Sequence, residues 1–398
     1  MTFNGWQKVK LSDVAEIIDS LHKTPNYSDT GFPMIRVTDI KGGFLSLENT
    51  LKVTAEVYRE FSRKHKPRRG DIVFSRVGTY GVASYVNSDE SFCLGQNTVF
   101  IIPKTHNRFM YYALTAPATK NQIDQLAVGS TQKTISLKSI KDIEIRLPDL
   151  STQRRIADIL SALDDKIELN RQTNVTLEAM AQAIFKEWFV DFNYPGATGE
   201  LVDSELGLIP AGWRVGKLGE LCRSKRQTVN PNDISPETPY VGLEHIPRKS
   251  LGLASWGIAD DVGSQKTKFQ KLDILFGKLR PYFHKVCIAP LDGICSTDIL
   301  VIESFNRDMF SFCVNHLFSN EMIAYVSLIA DGTRMPRVDW SSISNYEIVI
   351  PPESLLLQFN QIVFSFYEEI IENNYQSANL VQIRDTLLPK LMRGEIAV

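Results

Sequence analysis

Lys64, His65, Lys66, Pro67, Arg68 and Arg69 form the densest basic run in the sequence, directly ahead of the segment DIVFSRV and its Arg76. Cations crowded in this way suit the neutralisation of phosphates, although a merely solvated loop would look the same. Lys266, Lys268, Lys271, Lys278 and Arg280 are a looser counterpart further on. A second set of side chains sits on two glycine-led loops, Ser130-Thr131-Gln132-Lys133 and Thr333-Arg334-Met335-Pro336-Arg337. Glutamine can pair bidentately with adenine and arginine with guanine, each worth about 1–3 kcal/mol of discrimination. The plainer reading of either loop is a tight turn feeding the next strand. The expected contacts to nucleic acid are therefore Thr131, Gln132, Lys133, Arg334 and Arg337 on the loops, with Lys64, Lys66, Arg68, Arg69, Arg76, Lys278 and Arg280 beside them.

Bond-making chemistry has no such foothold. A GxxxxGK[ST] phosphate cradle is lacking, which argues against ATP hydrolysis in this chain. A DNA amino-methyltransferase needs an Asn-Pro-Pro-aromatic type of motif, and neither Asn193-Tyr194-Pro195-Gly196 nor Thr238-Pro239-Tyr240 supplies it. Pro148-Asp149 begins like a nuclease motif, but no acidic-x-Lys cluster follows. His65, His245 and His284 are scattered, and His106 and His316 lack an i, i+4 partner of metalloprotease type. Five cysteines with no CxxC pair suggest neither a disulfide framework nor a zinc ribbon, so no metal and no cofactor is expected here.

Composition sets the outer bounds. The 398 residues, 43% hydrophobic and 23% charged, suit two or three soluble domains. No apolar run reaches the roughly 18 residues of a membrane span, and MTFNGWQKVK has no signal-peptide character, so a cytoplasmic location is expected. The net charge of −2 hides an alternation: residues 1–150 carry 20 basic against 15 acidic groups, and 151–204 carry 5 against 9. Residues 205–350 balance at 16 each, and 351–398 carry 3 against 6. Charge permits nucleic-acid binding without demanding it.

The elements that must position these loops are written twice. GWQKVKLSDV (5–14) matches GWRVGKLGEL (212–221), and RRGDIVFSRVG (68–78) faces QKLDILFGKLR (270–280), with Asp71 and Asp273 in register. Gly129 pairs with Gly332, Ile140 with Ile343, Glu144 with Glu347 and Pro148 with Pro351. ALDDKIELNRQ (162–172) then faces FYEEIIENNYQ (366–376). Offsets of roughly 200–207 residues, always in the same order, mean a duplicated domain-plus-helix unit, since solenoid repeats are far shorter. Each unit opens with a short amphipathic segment such as LSDVAEIIDS (11–20) and runs through short strands such as FPMIRVTDI, DIVFSRV and NTVFII. Each ends its last strand on a proline and turns helical.

The first long helix begins near Ser151, with Asp149 or Ser151 as its cap, and runs to about Asp191. Ile156, Leu163, Asn170, Leu177 and Ile184 recur every seven residues along it, with Ile159, Met180 and Trp188 close by. The second, about 353–392, carries Tyr367, Asn374, Val381 and Leu388. About 40 residues give a rod of roughly 60 Å, and a rod with one apolar stripe needs a partner. Its own duplicate is the nearest, and the intervening domain makes antiparallel pairing easy. Asn170 and Asn374 are expected at equivalent seam positions, either fixing register or simply facing water. Residues 193–211, rich in Gly and Pro, read as a linker.

LPDLSTQRRIADILSALDDKIELNRQTNVTLEAMAQAIFKEWFVDF followed by LGLIPAGWRVGKLGEL resembles the central region of type I restriction–modification specificity subunits. The stretch IPPESLLLQFNQIV…LLPKLMRGEI resembles their second shared region. The resemblance is specific in the helices and the Gly-Trp segments and weak within the globular domains. It implies an α+β chain of two mixed α/β target-recognition domains in pseudo-twofold repeat, separated by an antiparallel coiled coil. The expected divisions are 1–150, helix 151–192, linker 193–211, 212–350 and helix 351–398. It also implies recognition of an asymmetric bipartite site in double-stranded DNA without catalysis. Two methyltransferase subunits and, in the full complex, restriction subunits would be its partners, carrying S-adenosylmethionine and ATP in its place. Two other readings compete: a stand-alone modification enzyme or nuclease, disfavoured by the missing motifs, and a coiled-coil scaffold without nucleic acid, disfavoured by the repeated basic loops.

Overall fold

The computed structural model describes residues 5–129, 132–260, 262–332 and 334–398. The chain forms two compact units, one made of Met1–Lys166 with Leu380–Val398 and the other of Ile167–Asn379. Among the described residues no helix is long and apolar enough to cross a membrane. All five cysteines are buried and unpaired by disulfides.

Each unit is mixed α and β, and the duplication seen in the sequence recurs in the strand ladders. In the first unit Ala15–Asp19, Thr98–Pro103, Ile72–Ser75 and Ala83–Tyr85 form an antiparallel sheet in that order. In the second, Cys222–Lys225, Ile299–Ser304, Ile274–Gly277 and Val286–Ile288 repeat it. The central strands read as continuous apolar runs because both faces are covered: Ile72, Val73 and Phe74 are wholly buried, as are Ile274, Leu275 and Phe276. Of the opening amphipathic segment only Leu11–Val14 is helical, and Ala15–Asp19 becomes an edge strand. The β-branched pair Ile17-Ile18 favours extended backbone once Thr98–Pro103 offers a hydrogen-bonding edge.

The Gly-Trp segments open each unit, and the proline-ended strands close it. Gln7–Lys10 pairs with Glu144–Leu147, and Arg214–Lys217 with Glu347–Ile350, both antiparallel. Each domain is thereby tied off where its long helix starts. Residues 193–211 are more ordered than a bare linker: Leu201–Ser204 and Gly207–Pro210 form a hairpin. Phe192 and Tyr194 pack on Trp213, with ring centroids 5.5 and 5.0 Å apart.

The long helices span Leu150–Phe189 and Glu353–Met392. Asp149 is the cap of the first: its carboxylate accepts from the Ser151 hydroxyl and from the Thr152 amide at 3.0 Å, bonds that hold its pKa down at about 2. In the first unit Ile156, Ala157 and Leu160 share a core with Leu391 and Met392. There Asp164 accepts from Arg384 at 2.8 Å and from the Tyr112 hydroxyl at 2.7 Å. In the second unit Phe189 meets Phe312 and Phe359 at 4.8 and 4.9 Å. The pairing is antiparallel in each unit, since rising numbers on one helix meet falling numbers on the other.

The seam differs in detail from the seven-residue series alone. Ile159 and Met180 are exposed, and the stripe is completed four residues after each series member, by Leu160, Ile167, Asn174, Ala181 and Trp188. That alternation of three and four is what a helix of 3.6 residues per turn requires. Leu163, Leu177 and Ile184 are half-buried on the first helix, as are Val381 and Leu388 on the second. Tyr367 is wholly buried and also serves the domain, accepting from the Asn315 amide. Asn170 and Asn374 do not meet as equivalents. Asn170 donates toward Gln376 at 2.9 Å, Ser377 at 3.1 Å and the Asn373 carbonyl at 3.2 Å. Asn374 instead accepts from Asn174 at 3.0 Å, while Asn174 accepts from Asn373 at 2.9 Å. The antiparallel register brings consecutive turns of amides together, so the seam is polar over two turns.

Two predictions follow from this packing. Asn174→Leu removes both amide links and strands Asn373, so urea unfolding of the second unit should show a loss of about 1–3 kcal/mol. His316 is buried between Phe185 and Phe312, and burial pulls its pKa from 6.5 down to about 3. Between those values the unfolded chain binds a proton that the folded one refuses, so stability falls as pH drops through that window. Urea midpoints at neutral and mildly acidic pH should differ less in His316→Phe than in the native chain.

Candidate nucleic-acid interface

The glycine loops and the basic residues that follow the central strand are built against each other. In the first unit the Ile135 amide donates to the Arg76 carbonyl at 2.9 Å and the Gly78 amide to the Lys133 carbonyl at 3.1 Å. In the second, Val338 donates to Lys278 at 3.1 Å and Arg280 to Pro336 at 2.7 Å. Thr134 exchanges two main-chain bonds with Val128, as Arg337 does with Asp331. Each loop is therefore a closed bracket around the strand end. Closure needs left-handed backbone at its first corner, where Gly129 has φ +112° and Gly332 φ +101°. A Cβ on Gly129 would lie 2.5 Å from the Gln132 carbonyl oxygen, a distance no side chain tolerates.

On this frame the side chains differ. Gln132 and Lys133 are exposed, and the Lys133 ammonium stands 5.9 Å from the centre of the Tyr80 ring. Thr131, with Ser130 and Thr333, lies outside the described residues. Arg334 is exposed, and its carbonyl accepts from the Arg280 guanidinium at 3.4 Å. Arg280 itself has left-handed backbone, and its Nε is buried without a partner among the described residues. Arg337 is exposed and reaches the Asp298 carboxylate at 3.2 Å.

Arg76 is held within the fold. It is not presented outward but pinned by Asp19 at 2.8 Å and by the Ile135 carbonyl at 3.3 Å, with both charged side chains largely buried. Two of its five N–H donors are thereby committed inside the fold, where they brace the bracket.

The run Lys64–Arg69 is held from beneath. Buried Asp71 accepts from the Arg68 amide at 2.8 Å and from His65 at 2.7 Å, and Asp89 takes the Arg69 amide at 3.0 Å. Lys66, Arg68 and Arg69 keep their side chains exposed, while Lys64 donates to the Asp19 carbonyl at 3.3 Å. Asp19 thus joins the basic run to the bracket. In the second unit the buried counterpart Asp273 is met by Lys225 at 2.8 Å. Burial opposes the charge on Lys225, but its bonds to Asp273 and Glu303 hold its pKa above the usual lysine value. Its charge is therefore already used.

Sequence reasoning missed a cleft of about 560 Å³ beside the second bracket, lined among others by Arg226, Lys278, Thr297, Arg337 and Trp340. Asp339 on its wall caps the following helix, and the Ser342 amide and Ser341 hydroxyl hold its carboxyl below the ordinary range. The signal that could have found Arg226 was the duplication itself, carried residue by residue through the strands.

A family model described as the type I restriction modification DNA specificity domain matches residues 4–179. The chain is similar to the type I restriction enzyme MjaIX specificity subunit of Methanocaldococcus jannaschii, 28% identical over an alignment of 417 positions, gaps included, that covers 99% of this chain and 94% of that protein. It is 27% identical to the type I restriction enzyme HindI specificity subunit of Haemophilus influenzae, covering 83% of this chain and 87% of that one. The crystal structure of a type I restriction–modification S subunit from M. genitalium matches with a TM-score of 0.58, over 98% of this chain and 97% of that one. At 17% identity that match is a likeness of fold.

Gly129→Ala should open the first bracket while leaving the strand behind it intact. Hydrogen exchange is expected to speed up at the Gly78 amide and stay slow along Ile72–Ser75; unchanged protection at Gly78 would mean the glycine is dispensable.

Proposed function

We propose that the chain is a specificity subunit of the type I restriction–modification kind, as its similarities suggest, and that it reads an asymmetric, two-part site in double-stranded DNA. Its role is DNA-sequence specificity, and the relatives it matches along its length are specificity subunits, not catalytic ones. In this reading each unit takes one half-site. Gln132 and Lys133 face the first, and Arg334 and Arg337 the second. The helix pair serves as the spacer and as the docking element for two methyltransferase subunits, with restriction subunits joining the full complex. S-adenosylmethionine and ATP act on those partners.

The observation that supports this reading best is the bracket, which recurs in both units with the same main-chain bonds and different side chains. Two unlike half-sites call for two unlike readers on one frame, as symmetric dimers suit palindromes. Glutamine and arginine are the side chains that address adenine and guanine edges.

Methylome sequencing of cells making this chain with its methyltransferase partner is expected to yield one bipartite motif. Exchanging residues 1–150 should rewrite half of that motif, and Arg334→Ala with Arg337→Ala should relax the other half. The isolated chain should transfer no label from S-adenosylmethionine to duplex DNA. A motif unaffected by any of these changes would remove the reading.

A further inference from the structure

The two units place different charges at the same four positions of one frame. Arg76 and Lys278 are equivalent by two main-chain bonds each. Their amides donate to the carbonyls of Asn97 and Asp298, and their carbonyls accept from Ile135 and Val338. Thr134 and Arg337 are equivalent as the bracket residues bridged on both sides. The strand ladders supply the fourth match. Val99 stands between Phe74 and Asp19, and Leu300 stands opposite Phe276. Lys225 lies opposite Val301, so the next residue, Arg226, falls opposite Leu300, where the first unit has Asp19.

The first unit therefore holds Asp19, Arg76, Asn97 and Thr134, and its two charges cancel in the 2.8 Å ion pair. The second holds Arg226, Lys278, Asp298 and Arg337, and there the ion pair has moved to Asp298 and Arg337. Arg226 and Lys278 are left over. Both line the 560 Å³ cleft, and among the described residues neither side chain has an ion-pair or hydrogen-bond partner. Lys225 and Arg337 on the same wall are already neutralised, and Asp339 is spent as a cap. Asp331 also lines the cleft, and the two free cations outnumber its single charge. Two like charges kept together without a counter-ion in the fold make a place for an external anion.

We propose that Arg226 and Lys278 are a phosphate clamp on the DNA backbone of the second half-site, and that the first unit has closed the same clamp with its own ion pair. The clamp rests on the duplex-binding reading above. It makes the units unequal at this one position: the second gains a salt-dependent backbone contact that the first forgoes. A phosphate contact is blind to sequence and releases counter-ions, whereas a base contact is neither.

The test is a salt titration of the full chain on a duplex holding its selected bipartite site and on a random-sequence duplex of equal length. The variants are Arg226→Gln with Lys278→Gln, and Arg226→Asp with Lys278→Arg. The second writes the first unit's own pair into the second unit, so a self-satisfied frame is kept should the first variant fold poorly. Both are expected to weaken binding to the two duplexes by the same factor and to lower the slope of log affinity against log salt by about 1.8, or about 0.9 per lost contact. Unchanged affinity and slope would overturn the clamp, and so would a loss confined to the selected duplex, which would make these residues base readers. A native chain that does not prefer the selected duplex would overturn the recognition reading itself, an outcome separable from either variant result.

Discussion

A helix of forty residues with one apolar stripe is not a stable object in water, and this chain contains two of them. Mutual cover along that stripe is the constraint on which the remaining architecture depends. In the first unit it is met by Ile156, Leu160, Leu391 and Met392 and by the Asp164–Arg384 pair; in the second it is met by aromatic packing around Phe185, Phe189 and Phe359. The second unit adds to its seam the amides of Asn170, Asn174, Asn373 and Asn374. An apolar seam tolerates sliding by a turn, whereas amides that must find partners do not. Register between the helices within the second unit is fixed there.

What was legible in the sequence was whatever recurs with a period. The duplication, the strand runs around Asp71 and Asp273, both helices and the glycine corners could be read because each leaves a pattern over many residues. What was not legible depends on partners distant in sequence. Arg76 looks like any strand-end arginine until Asp19, fifty-seven residues earlier, is found beside it. Asn374 looked equivalent to Asn170 because alignment cannot say how an antiparallel pair registers. The hairpin within 193–211 was hidden by its glycine and proline content, which marks turns without telling an ordered loop from a free one.

The brackets show how one frame carries two different sets of side chains. Main-chain bonds, glycine corners and the strand register are repeated, so the frame is indifferent to the side chains it carries. The side chains then vary at positions whose geometry is already settled. Charge is redistributed in the same places: an ion pair across the strand end in one unit, and in the other an ion pair from the bracket to the loop before Ile299–Ser304.

That economy has a limit, visible at the buried carboxylates beneath the basic runs. Asp71 is satisfied by His65, six residues before it, and Asp273 by Lys225, which belongs to another strand. A recombinant that spliced one unit's central strand into the other would bury an acid away from its cation and lose stability heavily. A crossover within the first long helix, by contrast, leaves the Asp71–His65 and Asp273–Lys225 pairs each on one side of the junction. Whole blocks can therefore be traded between relatives without that cost, while piecemeal mosaics inside a block are penalised by folding.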